Sequence, residues 1–287
     1  MGSIVWSGLV DGAVFALLAL GFNIIFSTTR ILNFAQGEFL GLGALLSYSL
    51  TVDHHLPVPA ALACVVLAMV AMGLVVERLV VLPVRLSGSS YAWIIATIAV
   101  AVTAENAMVV PFGRDPVRPP SLVPGNAFTL SGAPESWQTV LIIVAALVIV
   151  GLYEAFLAFT IYGRAFRATA HSLDTTELMG IDTGLVIKAS FVVSAIITGI
   201  AGVLVAPVTF ADTSMGLRYT ISGFVAVIVG GMGSSLGALL GGILLGLVTA
   251  VAAVKISPGW ADVIAYAVLG LVLLLRPNGI VARAAIH

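Results

Sequence analysis

Amide and ionisable side chains are scarce in this sequence, and the densest set opens an apolar run. Asn33, Gln36 and Glu38 lie within six residues of one another, and Glu38 falls about one helical turn inside the run. Polar side chains at membrane depth are costly, and most face the protein interior or an aqueous cavity. The set therefore fits a polar lining near the inner mouth of a translocation path. It equally fits a structural network, in which Glu38 pairs with Arg30 or hydrogen-bonds the backbone of a broken helix.

A sparser set of polar residues lies in other apolar runs. Glu105 and Asn106 come late in the fourth run, with Thr97 before them, whereas Asp11 lies in the first run and Asp212 follows the sixth. Each fits an interfacial or packing role as well as a ligand role. The candidates for a translocation path are Asn33, Gln36, Glu38, Thr97, Glu105 and Asn106.

The patterns of enzymatic chemistry are missing from the sequence. It has no GxxxxGK[ST] phosphate-binding loop, and hence no ATPase of its own, and no HExxH zinc motif. Its one cysteine, Cys64, allows no intrachain disulfide, and His54-His55 is an isolated pair at the end of a run. We therefore predict a chain that is not an enzyme and holds no metal or cofactor.

Composition assigns the chain to the membrane. Of its 287 residues, 60% are hydrophobic and only 9% are charged, whereas a soluble domain carries about 25% charged residues. The net charge of −1 excludes a strongly basic nucleic-acid binder. The first apolar run lacks a cationic segment and a cleavage site, so we expect it to remain as an anchor.

The apolar runs predict an all-α, polytopic membrane protein forming a single transmembrane domain over 1–287. A crossing needs about 20 apolar residues. The runs are 4–26, 34–52, 58–76, 91–110, 139–161, 186–208, 221–229, 236–254 and 261–275. The stretch 221–229 is too short for an ordinary span and indicates a broken or re-entrant segment. The prediction is therefore eight to nine transmembrane helices.

Lys and Arg in short loops predict the orientation, because they accumulate on the cytoplasmic side. Alternating the spans places eight on one side: Arg30, Arg78, Arg85, Arg164, Arg167, Lys188, Arg276 and Arg283. The other side receives four: Arg114, Arg118, Arg218 and Lys255. This predicts a periplasmic N-terminus and a cytoplasmic C-terminus if 221–229 crosses. If it re-enters, the last two spans invert or the N-terminal assignment changes.

Two long loops differ in character. The segment 111–138 is rich in proline, which predicts an irregular periplasmic loop. The segment 163–188 is polar and falls on the cytoplasmic side. In it, Asp174 and Glu177 have the spacing of a capping box, Gly180 can end the short helix, and Asp182 or Thr183 can cap the next span.

Glycines at four-residue spacing predict close helix packing, since small residues let backbones approach in lipid. They are Gly37 and Gly41, the series Gly233, Gly237 and Gly241, and the pair Gly242 and Gly246.

Four strings in order resemble the LivH-type permease subunits of branched-chain (hydrophobic) amino acid ABC transporters. The first is LGFNIIF at 20–26, followed by NFAQGE at 33–38, in which Gln36 stands where that family usually has histidine. The others are LMGIDT at 178–183, VGGMGSSLGA at 229–238 and LRPNGI at 275–280. The resemblance runs from about residue 8 to 281, with only a general proline-rich character in 111–138.

The resemblance implies a permease subunit of a bacterial ABC importer in the inner membrane, forming half of the path for branched-chain amino acids or a related solute. It implies four kinds of partner: a second, LivM-like permease, two cytoplasmic ATPase subunits that bind ATP and Mg²⁺, a periplasmic solute-binding protein and the bilayer. The segment 163–188 would be the coupling element that docks on the ATPase, unless it is an ordinary solvated loop. Its expected ATPase-coupling residues are Arg164, Arg167, Asp174, Glu177, Leu178, Met179 and Gly180.

Other functions stay open at this point. The same importer class carries urea, short amides or aromatic acids. A secondary transporter would need paired charges at midplane, of which the sequence has few, and a passive channel has only the glycine-rich broken segment in its favour.

Overall fold

Six helices are long and apolar enough to cross a bilayer, and they dominate the computed structural model, which describes residues 1–87, 91–130, 133–257, 259–276 and 279–281. Two shorter apolar helices accompany them. The α-helices are α1 Gly2–Thr29, α2 Gln36–Tyr48, α3 Val58–Ser87, α4 Ala92–Phe112, α5 Trp137–Phe159, α6 Ile161–His171, α7 Leu173–Leu178, α8 Thr183–Thr209, α9 Met215–Gly230, α10 Ser235–Lys255 and α11 Trp260–Leu275. A π-helical turn, Ser49–Asp53, continues α2, and strands β1 Asn126–Leu130 and β2 Ala133–Ser136 pair antiparallel.

Contacts of α1 define the two ends of the bundle. At one end the Trp6 indole N–H donates to Thr139 Oγ1 (3.1 Å), and its ring lies edge-on to Phe128 of β1. At the other, the Arg30 guanidinium donates to the carbonyl of Ala170 in α6 (2.8 Å). We call these the hairpin end and the α6–α7 end. The helix α1 therefore runs from the hairpin end to the α6–α7 end.

The centre of the bundle is built on α1 and α8. Over their most apolar parts, α1 is 78% and α8 72% buried, whereas α3, α4 and α5 are 17–22% buried and leave most of their surface for lipid. A helix that is apolar all round belongs in such a core. The antiparallel α10 lies directly on α1, because Gly242 and Gly246 leave no space for a side chain between the two backbones.

The proline-rich segment 111–138 is more ordered than the sequence predicts. The helix α4 continues through Pro111 to Phe112, and Gly113 follows it with a φ of 76°. Val117 forms a β-bridge with Ala211, and its amide and carbonyl are both used. The β1–β2 hairpin then leads directly into α5. Only the stretch between these elements is irregular.

The segment 163–188 is helical rather than a loop. It contains most of α6, the whole of α7 and the start of α8. The predicted capping box is wrong, because Ser172 caps α7 by accepting a hydrogen bond from the Thr175 amide (3.3 Å). Asp174 instead lies in the first turn of α7. Gly180 (φ 79°) follows the end of α7, and Asp182 caps α8.

The short apolar stretch 221–229 belongs to a longer helix. The helix α9 begins six residues earlier, at Met215, and its 16 residues span about 24 Å. It starts beside the Val117–Ala211 bridge at the hairpin end and runs in the same direction as α1. Residues 279–281 return to its far end, where the Ile280 amide donates to the Val229 carbonyl (2.9 Å).

Candidate translocation and coupling sites

The helix α2 begins inside the bundle. Ser194 Oγ donates to the Gly21 carbonyl (2.9 Å) and lies 3.1 Å from Gln36 Oε1, so the first residue of α2 lies at the level of Gly21. Gly21 lies eight residues before the end of α1, which corresponds to about 12 Å of helix. The connecting residues 31–35 are therefore non-helical backbone at depth, which is tolerated where protein surrounds it.

Gln36 is held by α8. Its Nε2 donates to Ser194 Oγ (2.8 Å) and to Thr198 Oγ1 (2.5 Å), and the residue is fully buried. These hydroxyls lie one helical turn apart on the same face of α8, so one side-chain amide binds both. The structure places Gln36 in a helix-to-helix network rather than on an open cavity.

The start of α2 is satisfied by α9. Its N-cap is Ala35, which has no side-chain acceptor, and the Gly37 amide instead donates to Thr220 Oγ1 (2.9 Å). Asn33 Oδ1 accepts from the Ala35 amide (3.1 Å). The first amides of a helix have no partner within the helix. Thr220 of α9 accepts a hydrogen bond from one of them, as an N-cap side chain would.

Glu38 faces the first turn of α9. Its carboxylate lies directly on Gly216, so that a side chain at that position would displace it, and only 2% of the residue is exposed. The predicted pairing with Arg30 is wrong, since Arg30 binds the Ala170 carbonyl. Among the described residues, two buried side-chain atoms lack a hydrogen-bond partner: Glu38 Oε2 and Asn33 Nδ2. The partial positive charge of a helix N-terminus favours an anion at this place.

The remaining path candidates, on α4, are less closely connected. Thr97 is buried and donates to the Ile94 carbonyl of its own helix, and the exposed Asn106 donates to Val102 in the same way. Glu105 is half-buried and repels the Glu38 carboxylate electrostatically. The structure thus brings Asn33, Gln36 and Glu38 together at the start of α2, adds Glu105 from α4, and leaves Thr97 and Asn106 out.

Asn23 joins α1 to the turn between α9 and α10. Its Nδ2 donates to the Ser234 carbonyl (2.8 Å), and its Oδ1 accepts from the Gly233 amide (2.8 Å). Sequence reasoning did not select Asn23, nor the hydroxyls of Ser194, Thr198 and Thr220. These residues could have been identified as lone polar residues in apolar spans, because such groups face protein rather than lipid.

The predicted packing glycines fall into three groups: glycines in close backbone contacts, one glycine in an ordinary contact and one glycine in a turn. Gly37 lies against Gly216, and Gly237 against Gly230, with no space for a side chain. An added carbon on Gly41 would meet its nearest neighbour at an ordinary 3.7 Å, so Gly41 is not a close contact. Gly233 is needed for its φ of 85° in the turn held by Asn23. Gly241 lies directly on Ala226 of α9.

The α6–α7 element presents a charged and apolar outer face. Gly163, Phe166 and Thr169 form the buried side of α6, and the Phe166 ring meets Phe156 of α5 edge-on at 5.6 Å. The residues on the outer face are exposed, and Leu178 and Met179 are 89% and 73% exposed. The exposed predicted coupling residues are Arg164, Arg167, Asp174, Glu177, Leu178, Met179 and Gly180.

Within the element, Glu177 Oε1 accepts a hydrogen bond from Thr183 Oγ1 (2.5 Å), which ties α7 to the first turn of α8. The whole element is therefore attached to α5 on one side and α8 on the other.

No group of three or more His, Cys, Asp or Glu side chains suited to a metal ion occurs in the part of the chain that the structure describes. A multi-helix apolar bundle with a buried polar cluster, and with a charged helical element at one end, defines a membrane transport protein.

The chain belongs to the family described as branched-chain amino acid transport system, permease component, whose model matches residues 4–273. It is 31% identical to the high-affinity branched-chain amino acid transport system permease protein BraD of Pseudomonas aeruginosa, over 96% of this chain and 94% of that protein. It is 31% identical to LivH of Escherichia coli and 30% identical to LivH of Salmonella typhimurium, each over 97% of this chain and 94% of the relative. As a permease component it is a transport subunit and not an enzyme.

Proposed function

We propose that this chain is the transmembrane permease subunit of a bacterial ABC importer for branched-chain amino acids. The observation that carries the proposal is the α6–α7 element, which is anchored to α5 and α8 and keeps Leu178 and Met179 exposed. Exposed apolar side chains rimmed by charges are typical of a protein–protein contact. Two cytoplasmic ATPase subunits would dock there and supply ATP and Mg²⁺ binding, a second LivM-like permease would complete the path, and a periplasmic binding protein would deliver the solute.

The proposal includes a topology of nine membrane elements. The six long helices, α2 with its π-helical turn, α9 and α11 alternate in direction. We assign the N-terminus and the hairpin end to the periplasm. The α6–α7 end is then cytoplasmic, in agreement with Arg30, Arg164 and Arg167 at that end.

Topology is tested by single-cysteine labelling. In a Cys64→Ser background, Asp115→Cys at the hairpin end should react with a membrane-impermeant maleimide in intact cells, whereas Thr175→Cys in α7 should react only after the membrane is opened. The reverse pattern would refute the orientation.

Of the path candidates, Asn33 and Glu38 each have a buried polar atom without a hydrogen-bond partner, whereas Gln36 is engaged by α8. We assign Asn33 and Glu38 to the path and Gln36 to the support of α2. Thr97 and Asn106 keep only helix-internal hydrogen bonds, and Glu105 acts on the path through Glu38.

Docking is tested by placing charge on the exposed apolar pair. The variant Leu178→Asp/Met179→Asp should lower ATP-driven leucine uptake by about tenfold or more in proteoliposomes containing the complete importer, because a desolvated carboxylate in an interface is costly. Val123→Asp, at an exposed position of the hairpin end, is the matched control and should transport normally. Normal uptake by the double variant would refute the docking assignment.

A further inference from the structure

A cavity of about 480 Å³ lies in the hairpin-end half of the bundle. Its walls come from α1, α9 and α10, and the ends of α8 and α11 complete them. Its volume falls within the range of roughly 300–1,000 Å³ that is usual for small-molecule sites. None of the residues assigned to ATPase docking or to the path lines this cavity.

Asp11 supplies a negative charge to the cavity. It lies nine residues into α1, about 14 Å along the helix from Gly2. Within the described residues, no hydrogen bond or ion pair reaches its carboxylate, and the side chain is only half-buried. An ionisable residue at membrane depth without a protein partner suggests a ligand of opposite charge.

Aromatic rings stand beside this carboxylate. Phe15 follows Asp11 by one helical turn, and its ring lies 6.2 Å from that of Tyr219 in α9. Tyr219 lines the same cavity as Asp11 and Arg218. Ring faces attract an ammonium group, which adds to the effect of the carboxylate.

Arg218 supplies the positive charge, and its position is determined by Asp212. The guanidinium donates one hydrogen bond to Asp212 Oδ2 (2.6 Å). Asp212 Oδ1 is itself held by the amide (2.9 Å) and hydroxyl (2.6 Å) of Ser214. Because a guanidinium has five N–H donors, Arg218 keeps donors for a ligand carboxylate at the edge of the cavity.

Small and aliphatic side chains complete the wall. Ala250, Ala253 and Val254 of α10 and Ala265 of α11 line the cavity without filling it. A negative group, a positive group and an apolar wall in one cavity match the three parts of an amino acid with an aliphatic side chain.

We propose that this cavity is an amino-acid site of the permease itself, on the hairpin-end half of the path. Asp11 binds the ammonium group, Arg218 binds the carboxylate, and the alanine-rich wall of α10 and α11 contacts the aliphatic side chain. The amino-acid class rests on the proposed function, whereas the location and the three roles come from the cavity.

Binding to the full chain in nanodiscs, without other subunits, tests the site. The probes are L-leucine, isoamylamine (leucine without its carboxylate) and 4-methylpentanoate (leucine without its amine), with empty nanodiscs correcting for lipid partition. Asp11→Asn should weaken leucine and isoamylamine binding about tenfold or more and leave 4-methylpentanoate unchanged, because a hydrogen bond to a charged group is lost. Arg218→Gln should weaken leucine and 4-methylpentanoate and leave isoamylamine unchanged.

Asp53→Asn, at an exposed position of the hairpin end, is the control and should bind all three probes as the natural chain does. Arg218 is 68% exposed, so Arg218→Gln tests the site even if Asp11→Asn lowers stability. Failure of leucine to bind the natural chain, or equal affinities in the natural chain and Arg218→Gln, would overturn the proposal. If the complete natural importer does not take up leucine when supplied with ATP, the proposed function is wrong. The binding result for the isolated chain is independent of that outcome.

Discussion

Replacing Gln36 by leucine removes the amide that joins α2 to α8 and keeps a similar side-chain size. Two hydrogen bonds donated by Nε2, to Ser194 and Thr198, are lost. Ser194 retains the Gly21 carbonyl as an acceptor, so its own hydroxyl stays satisfied. The loss is therefore set by the two donated bonds.

The expected destabilisation follows from measured hydrogen bonds between membrane helices, which average about 0.6 kcal/mol and reach about 1.7 kcal/mol. Two such bonds give about 1 kcal/mol at the average and about 3 kcal/mol at the upper value. Gln36→His keeps one donor and one acceptor, so its effect should be about half as large.

The assay is reversible unfolding in mixed micelles with increasing fractions of SDS, followed by helical circular dichroism. Asn106→Leu is the matched control, because Asn106 is exposed and bonds only to its own helix. Its unfolding midpoint should stay near that of the natural chain. Equal midpoints for Gln36→Leu and Asn106→Leu would show that the α2–α8 network does not support the fold.

Three further predictions, made with four substitutions, test the packing, the α9–α10 turn and the start of α7. Gly37→Ala should destabilise the bundle by about 1–3 kcal/mol, because the added methyl group overpacks against Gly216. Gly41→Ala should change the free energy of unfolding by no more than about 0.5 kcal/mol. Equal effects of the two substitutions in the same unfolding assay would contradict the close contact. Asn23→Ala should speed amide hydrogen exchange in the α9–α10 turn, because two hydrogen bonds to that turn are lost; unchanged exchange would show that Asn23 does not hold it. Ser172→Ala should speed amide hydrogen exchange in the first turn of α7 by about 2- to 30-fold, since losing an N-cap costs about 0.5–2 kcal/mol. Protection equal to that of the natural chain would show that Ser172 does not cap α7.

Local rules predicted helix ends with mixed success. Asp182 or Thr183 was predicted to cap α8, and the structure uses Asp182; Gly180 was predicted to end the short helix and follows it, because both signals depend on adjacent residues. The cap of α7 was placed on Asp174 because the spacing to Glu177 was right. The structure uses Ser172 instead, since the helix starts two residues earlier than a cap at Asp174 implies, and the Ser172 side chain accepts from the Thr175 amide.

The same contrast holds for Glu38. Sequence reasoning offered Arg30 as its partner because the two lie close along the chain. In the structure, Arg30 turns to α6 and Glu38 faces Gly216 of α9, 178 residues away. Nearness along the chain says little about contact when a helix begins inside the bundle.

The sequence by itself determined that the polar cluster of Asn33, Gln36 and Glu38 belongs to a multi-helix membrane protein. Hydropathy sums over neighbouring residues, so the apolar runs, the scarcity of charge and the family strings could all be read directly. Only the tertiary structure decided which residues meet. Gln36 with Ser194, Glu38 with Gly216, and Phe15 with Tyr219 each join distant helices. Their pairing depends on the rotation and depth of each helix, which are set by glycine contacts between backbones and not by any local pattern.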